Sequence, residues 1–153
     1  MAPEAGNDHM ARALQEAKSA ALRGEVPVGA VLVAPDGRVL AATGNRTREL
    51  CDPTAHAEML AIRQGAAVLG AERLTDCDLY VTLEPCPMCA AAISFARIRR
   101  LYFGAVDPKG GGVLHGPRIY NQVTCHHAPD VYDGLGEQEA AALLKRFFQA
   151  RRT

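Results

Sequence analysis

The strongest constraint on this chain is a pairing across thirty positions. His56-Ala57-Glu58 stands at one expected helix start, and Pro85-Cys86-Pro87-Met88-Cys89 stands at another, each close behind an expected strand. His56 and Glu58 lie about 200° apart on a helical wheel at ~3.6 residues per turn, so they cannot share a face along a helix body. At a helix mouth both can lean toward one point. A fold that uses them together must bring two helix N-termini to the same place.

The pattern of elements allows this. Residues 1–7 are small and polar and read as a loose tail. Asp8 reads as the cap of a helix with Met10, Leu14, Ala17, Ala21 and Leu22 on its apolar face, ended by Gly24. "VPVGAVLVA" (26–34) and "RVLAATG" (38–44) flank the turn "PDG" and read as a hairpin. Asp52-Pro53-Thr54 signals a helix over about 55–70. "CDLYVTL" (77–83) is a third strand, 88–98 a helix, "RLYFGAV" (100–106) a fourth strand and 137–152 a last helix. Residues 107–134 read as loop around one short strand near 119–123. Helices alternating with strands predict one α/β layered domain over residues 1–153, with a mixed sheet.

Hydrophobic residues make up 48% of the 153, but aromatics only 5%, so the core must be built from Ala, Val, Leu and Ile. Seventeen basic side chains balance seventeen acidic ones, and net charge gives no argument for nucleic acid or membrane. The first residues carry acidic groups and no apolar signal segment, and no run approaches the ~20 apolar residues of a membrane span. The chain is expected to be soluble and cytoplasmic, with no membrane association. Its five cysteines argue against a disulfide framework.

Cys86 and Cys89 have metal-ligand spacing, and His56 completes a set of one nitrogen and two thiolates. That set suits a single zinc ion, and three protein ligands leave a fourth position open for water. Thiolates are favoured at helix N-termini by the dipole and the free N–H groups. Glu58 is a poor extra ligand but a sensible proton carrier beside activated water. A closed structural clasp would need a fourth ligand, for which Cys51, Cys77 and Cys125 are candidates. A redox Cys-x-x-Cys pair would leave His56-Ala57-Glu58 unexplained.

His-x-Glu followed by Pro-Cys-x-x-Cys resembles the signature of the zinc-dependent nucleobase deaminases. The flanking segments are more specific. "EVPVGAVLV" (25–33), "GNR" (44–46), "DPTAHAEMLAIRQ" (52–64), "LYVTLEPCPMCAAAI" (79–93), "FGAVDPK" (103–109) and "LLKRFFQARR" (143–152) resemble bacterial tRNA adenosine deaminases. The resemblance implies a cytidine deaminase-like three-layer α/β/α sandwich with a five-stranded mixed sheet, a homodimer, and conversion of adenosine to inosine at the tRNA wobble position. It implies that His56, Cys86 and Cys89 bind zinc and that Glu58 moves protons. Asn45 would hydrogen-bond the flipped adenine, the backbone of Ala57 would face it, and Val28 would pack on its ring. Asp107, Lys109 and one of Phe147 and Phe148 (Phe148 is taken here) would lie along the anticodon loop, with Arg151 and Arg152 toward phosphate. Residues 110–133 depart from the family pattern, and "TCHHAPD" reads as a loop with surface histidines. The rival readings are a deaminase of free bases or nucleosides, and a zinc-stapled RNA-binding module without catalysis.

Overall fold

The structure is a computed structural model that describes residues 3–151. Its elements, in chain order, are helix α1 (Pro3–Leu22), strands β1 (Gly29–Val33) and β2 (Val39–Gly44), helix α2 (Ala57–Leu69), strand β3 (Asp78–Leu83), helix α3 (Pro87–Phe95), strand β4 (Arg100–Ala105), a 3-10 turn (Ile119–Asn121), strand β5 (Asp130–Tyr132) and helix α4 (Glu137–Ala150). The five strands form one mixed sheet in the order β2-β1-β3-β4-β5. β1 runs antiparallel to β2 and β3, while β3, β4 and β5 are parallel.

Helices cover both faces. On one, Met10, Ala13, Leu14 and Ala17 of α1 pack with Ala140 and Leu143 of α4 against Val31 and Tyr80. On the other, Ala57 and Ala61 of α2 and Ala90 and Ile93 of α3 pack against Leu32, Leu79, Val81 and Phe103. The expected α/β/α sandwich is therefore the observed one. The small residues set the spacing. A Cβ at Gly29 would lie 1.9 Å from the carbonyl oxygen of Ala13, so α1 rests directly on the backbone of β1. Among the described residues no helix is long and apolar enough to cross a membrane.

Four expectations are corrected. Helix α1 already runs from Pro3, so residues 3–7 are helical and Asp8 lies inside the helix rather than capping it. Leu22 belongs to no apolar face: it is 90% exposed, because the chain turns away from the sheet there. Asp52 does not start a helix. Its carboxylate accepts from the N–H (2.9 Å) and hydroxyl (2.7 Å) of Thr54, closing a local turn, and α2 begins at Ala57. The short strand is not near 119–123, where a 3-10 turn stands, but at Asp130–Tyr132. The parallel edge of β4 recruits those residues, with Asp130 opposite Arg100 and Tyr132 opposite Tyr102.

The "TCHHAPD" stretch is tied down locally. Ser94 of α3 donates to the carbonyl of His127 at 2.6 Å, and His127 Nε2 donates to the carbonyl of Ile98 at 2.7 Å. His127 thus anchors the loop, and among the described residues neither it nor His126 joins a group able to hold a metal.

Candidate active site

The site forms where β3 and β4 end and α2 and α3 begin. His56 is the N-cap of α2 with extended backbone (φ −71°, ψ 153°), and Cys86 is the N-cap of α3 (φ −69°, ψ 170°) with a proline in the first turn. The wheel argument does not apply to His56, because its residue is outside the helix. Neither side chain makes a capping hydrogen bond to its own helix, so each is free to face the other.

His56 Nδ1 lies 3.5 Å from Cys89 Sγ and 3.7 Å from Cys86 Sγ. Zinc bonds of about 2.3 Å to sulfur and about 2.05 Å to nitrogen, at a tetrahedral angle, place S and N about 3.6 Å apart. The three ligand atoms lie within 4.8 Å of one another, and among the described residues they are joined by no fourth Cys, His, Asp or Glu in such a group. The donor set fits an open zinc site, not a closed clasp: neither Cys51, Cys77 nor Cys125 approaches.

The side chains of His56, Cys86 and Cys89 form one hydrogen-bonded group that shares its protons. A hydrogen bond from the Cys89 thiol, reinforced by His56, holds Cys86 as a thiolate with its pKa down at about 4. The same hydrogen bond, together with burial, pushes Cys89 up. His56 is raised chiefly by its bond to Cys86. Glu58 is 4% exposed, and burial pushes its carboxyl up to about 7, with the Cys86 charge acting in the same direction. A carboxyl in that range takes up and gives back protons at neutral pH.

These groups open into a cleft of about 290 Å³ lined by Val28, Asn45, His56, Glu58, Cys86 and Asp107, together with Val26, Thr47, Leu83, Glu84 and Gly110. Asn45 is held by its amide: Nδ2 donates to Glu25 Oε1 at 3.4 Å and Thr47 Oγ1 at 3.3 Å. A carboxylate only accepts, so the amide orientation is fixed and Oδ1 remains as an acceptor. Glu25 also takes the N–H groups of Arg48 (3.1 Å) and Glu49 (2.8 Å), which templates the whole 45–49 wall.

Other expected contacts fall outside the cleft. Ala57 is buried, and its carbonyl accepts from Thr43 Oγ1 at 2.8 Å, leaving only its N–H at the helix mouth. Lys109 is exposed and does not line the cleft. Phe147 is core, whereas Phe148 is 47% exposed. Arg151 is not free for phosphate: it lies over the Phe147 ring at 3.7 Å and donates to the carbonyl of Gly24 at 3.2 Å. Arg152 lies outside the described residues. The reading from sequence missed Val26, Leu83, Thr47, Glu25 and Glu84. The one available signal was an acidic residue, Glu84, between a strand and the Cys-x-x-Cys pair.

Residues 3–105 match the cytidine and deoxycytidylate deaminase zinc-binding region family. A tRNA-specific adenosine deaminase of Agrobacterium fabrum is 66% identical over 143 residues, covering 94% of this chain and 93% of that protein. The chain belongs to the tRNA-specific adenosine deaminase family. Within that family, the enzyme of Bacillus subtilis is 42% identical over 146 residues, covering 94% of this chain and 89% of its own. A solved structure from a study of A-to-I editing by tRNA:A34 deaminases at the wobble position superposes on this deaminase with a TM-score of 0.88. It shares 66% identity and covers 90% of this chain and 99% of its own.

Proposed function

We propose that this chain hydrolyses the wobble adenosine of a tRNA to inosine, with release of ammonia. The observation that carries the reading is the convergence of His56 Nδ1 and two cysteine sulfurs at zinc-ligand separations beside the buried Glu58. The close match to a tRNA-specific adenosine deaminase supports tRNA as the substrate. One cytidine deaminase-like domain carries the activity, and the reaction belongs in the cytoplasm, where tRNA is.

His56, Cys86 and Cys89 hold one zinc ion, which supplies Lewis-acid activation of water at neutral pH. Glu58 accepts the proton of the attacking water and delivers protons to the purine ring nitrogen and to the departing amine. Asn45 Oδ1 accepts from the base's amino group, Val28 covers a ring face, and the Ala57 N–H faces the base. Asp107, Lys109, Phe148 and Arg152 lie toward the anticodon loop. An anticodon base is already partly unstacked, so extruding it into the cleft costs little. The functional unit is a homodimer. Phe95 at the end of α3 is 75% exposed beside Ala91, Ile119 and Cys125, and a second copy covers that patch.

The test is inosine formation on an anticodon stem-loop with adenosine at the wobble position, beside free adenosine, guanine and cytosine. Turnover of the stem-loop is expected. Turnover of a free base alone would overturn the tRNA assignment and leave the deaminase chemistry in place. Light scattering should give twice the chain mass, reduced to one chain by Phe95→Asp.

A further inference from the structure

Glu84 is a buried carboxylate, 2% exposed, that the proton chemistry does not use. It follows β3 and sits two residues before Cys86. Its Oε1 accepts from the N–H of Asp107 at 3.0 Å and from His115 Nδ1 at 2.8 Å. Its Oε2 accepts from three successive N–H groups, those of Val113 (3.2 Å), Leu114 (2.9 Å) and His115 (3.1 Å). One carboxylate thus gathers both ends of the 107–115 loop. Consecutive N–H groups turned to one oxygen form an anion nest, and here the anion is part of the chain.

The glycine run fits that nest. A Cβ on Gly111 would lie 2.3 Å from Glu84 Oε2, and one on Gly112 would lie 2.6 Å from the backbone of Pro87. Only glycine lets the loop close around the carboxylate. Asp107 at the cleft edge is placed by its own backbone bond to Glu84. We infer that Glu84 is a positioning residue for substrate recognition: it fixes the Asp107–His115 loop as the cleft wall that meets the RNA around the reacting adenosine. The inference rests on the tRNA reading above. The hydrogen bonds of the Glu84 carboxylate all run to the 107–115 loop, and none to His56, Glu58, Cys86 or Cys89.

The experiment compares wild type with Glu84→Gln, His115→Ala and His115→Asn. It reads kcat and KM on the wobble stem-loop, zinc per chain, and stem-loop Kd in a Glu58→Ala background. Glu84→Gln turns an amide toward donors that need an acceptor, and His115→Ala removes one bond while leaving the backbone nest. Both should raise KM and Kd by about threefold to tenfold or more, with kcat falling much less and zinc unchanged. His115→Asn, whose amide can donate in place of Nδ1, should return KM close to wild type. A fall in apparent kcat in proportion to folded fraction with KM unchanged, a wild-type KM in His115→Ala, or no rescue by His115→Asn would overturn the inference. If Glu84→Gln does not fold, the His115 pair decides. Failure of the wild type on the stem-loop would instead bring down the tRNA reading, and this inference with it.

Discussion

Replacing Glu58 with Gln is the sharpest perturbation of the proposed chemistry. Glutamine keeps the volume and polarity of a side chain that is 4% exposed, so the packing at the mouth of α2 survives. It removes the buried carboxyl that stands beside the proposed metal ligands in the cleft. Glu84 already accepts five hydrogen bonds. Asp107 Oδ1 is engaged by the N–H of Gly110 at 2.9 Å. A single general acid–base transfer contributes roughly 10²–10⁴ in rate. In the proposed reaction Glu58 handles more than one transfer, so the loss should reach or exceed about 10⁴, equivalent to ~5.5 kcal/mol in the barrier. The assay is single-turnover inosine formation with enzyme in excess, alongside zinc per chain and stem-loop Kd. Full zinc, unchanged Kd and a rate down by that factor are expected. A variant within about tenfold of wild type would refute the proton-carrier role, since that is below what one such transfer contributes. Loss of zinc together with rate would assign Glu58 to the metal instead.

Three further outcomes follow from the same geometry. Cys89→Ser should reduce bound zinc well below one per chain, measured by metal analysis, because a hydroxyl is a far poorer ligand than a thiolate; full occupancy would exclude Cys89 from the donor set. Asn45→Ala removes both the proposed acceptor and a partner of Glu25, and should raise KM by about tenfold with a smaller change in kcat; the reverse split would make Asn45 part of the chemical step. Burial pushes Glu25 up, but the N–H groups of Glu49 and Arg48 and the Thr47 hydroxyl outweigh it and hold the carboxyl below its ordinary value. Its stabilisation is therefore complete above the unfolded value of about 4.3 and fades as pH falls through the folded value. The melting deficit of Glu25→Gln should be largest at neutral pH and shrink below about pH 4, and a deficit that grows with acid would contradict this.

What the sequence made legible was local. The ligand pair Cys86 and Cys89 sits within one turn of helix, and His56 and Glu58 sit within three residues. The alternation of strands and helices gave the layers. Elements defined by distant partners were hidden. Strand β5 carries only three residues, and it is a strand because β4 offers it a parallel edge. Asp52 shows a good cap signal whose hydrogen bonds close an isolated turn instead. Arg151 reads as a free cation in sequence but is absorbed by Phe147 and Gly24, 127 positions away in the second case. Glu25 carries no recognisable local pattern, and Glu84 only its place between a strand and the Cys-x-x-Cys pair, because their partners lie 20 or more residues downstream.

This division separates two kinds of constraint on the cleft. The chemistry is held by regular elements: two helix mouths whose N-cap side chains face each other rather than their own helices. The two irregular segments that wall the cleft are each folded around a buried carboxylate. Glu25 holds the 45–49 wall and Glu84 the 107–115 wall. An unpaired buried charge is costly, so each wall must keep its N–H groups on its carboxylate to remain folded. Side chains on the walls can then change while the backbone shape is retained. Gly111 and Gly112 are the exceptions, since a Cβ at either would collide with Glu84 or Pro87. Altering the proposed recognition without losing the reaction therefore calls for substitution at exposed residues of these segments, and not at the glycines or the two carboxylates beneath them.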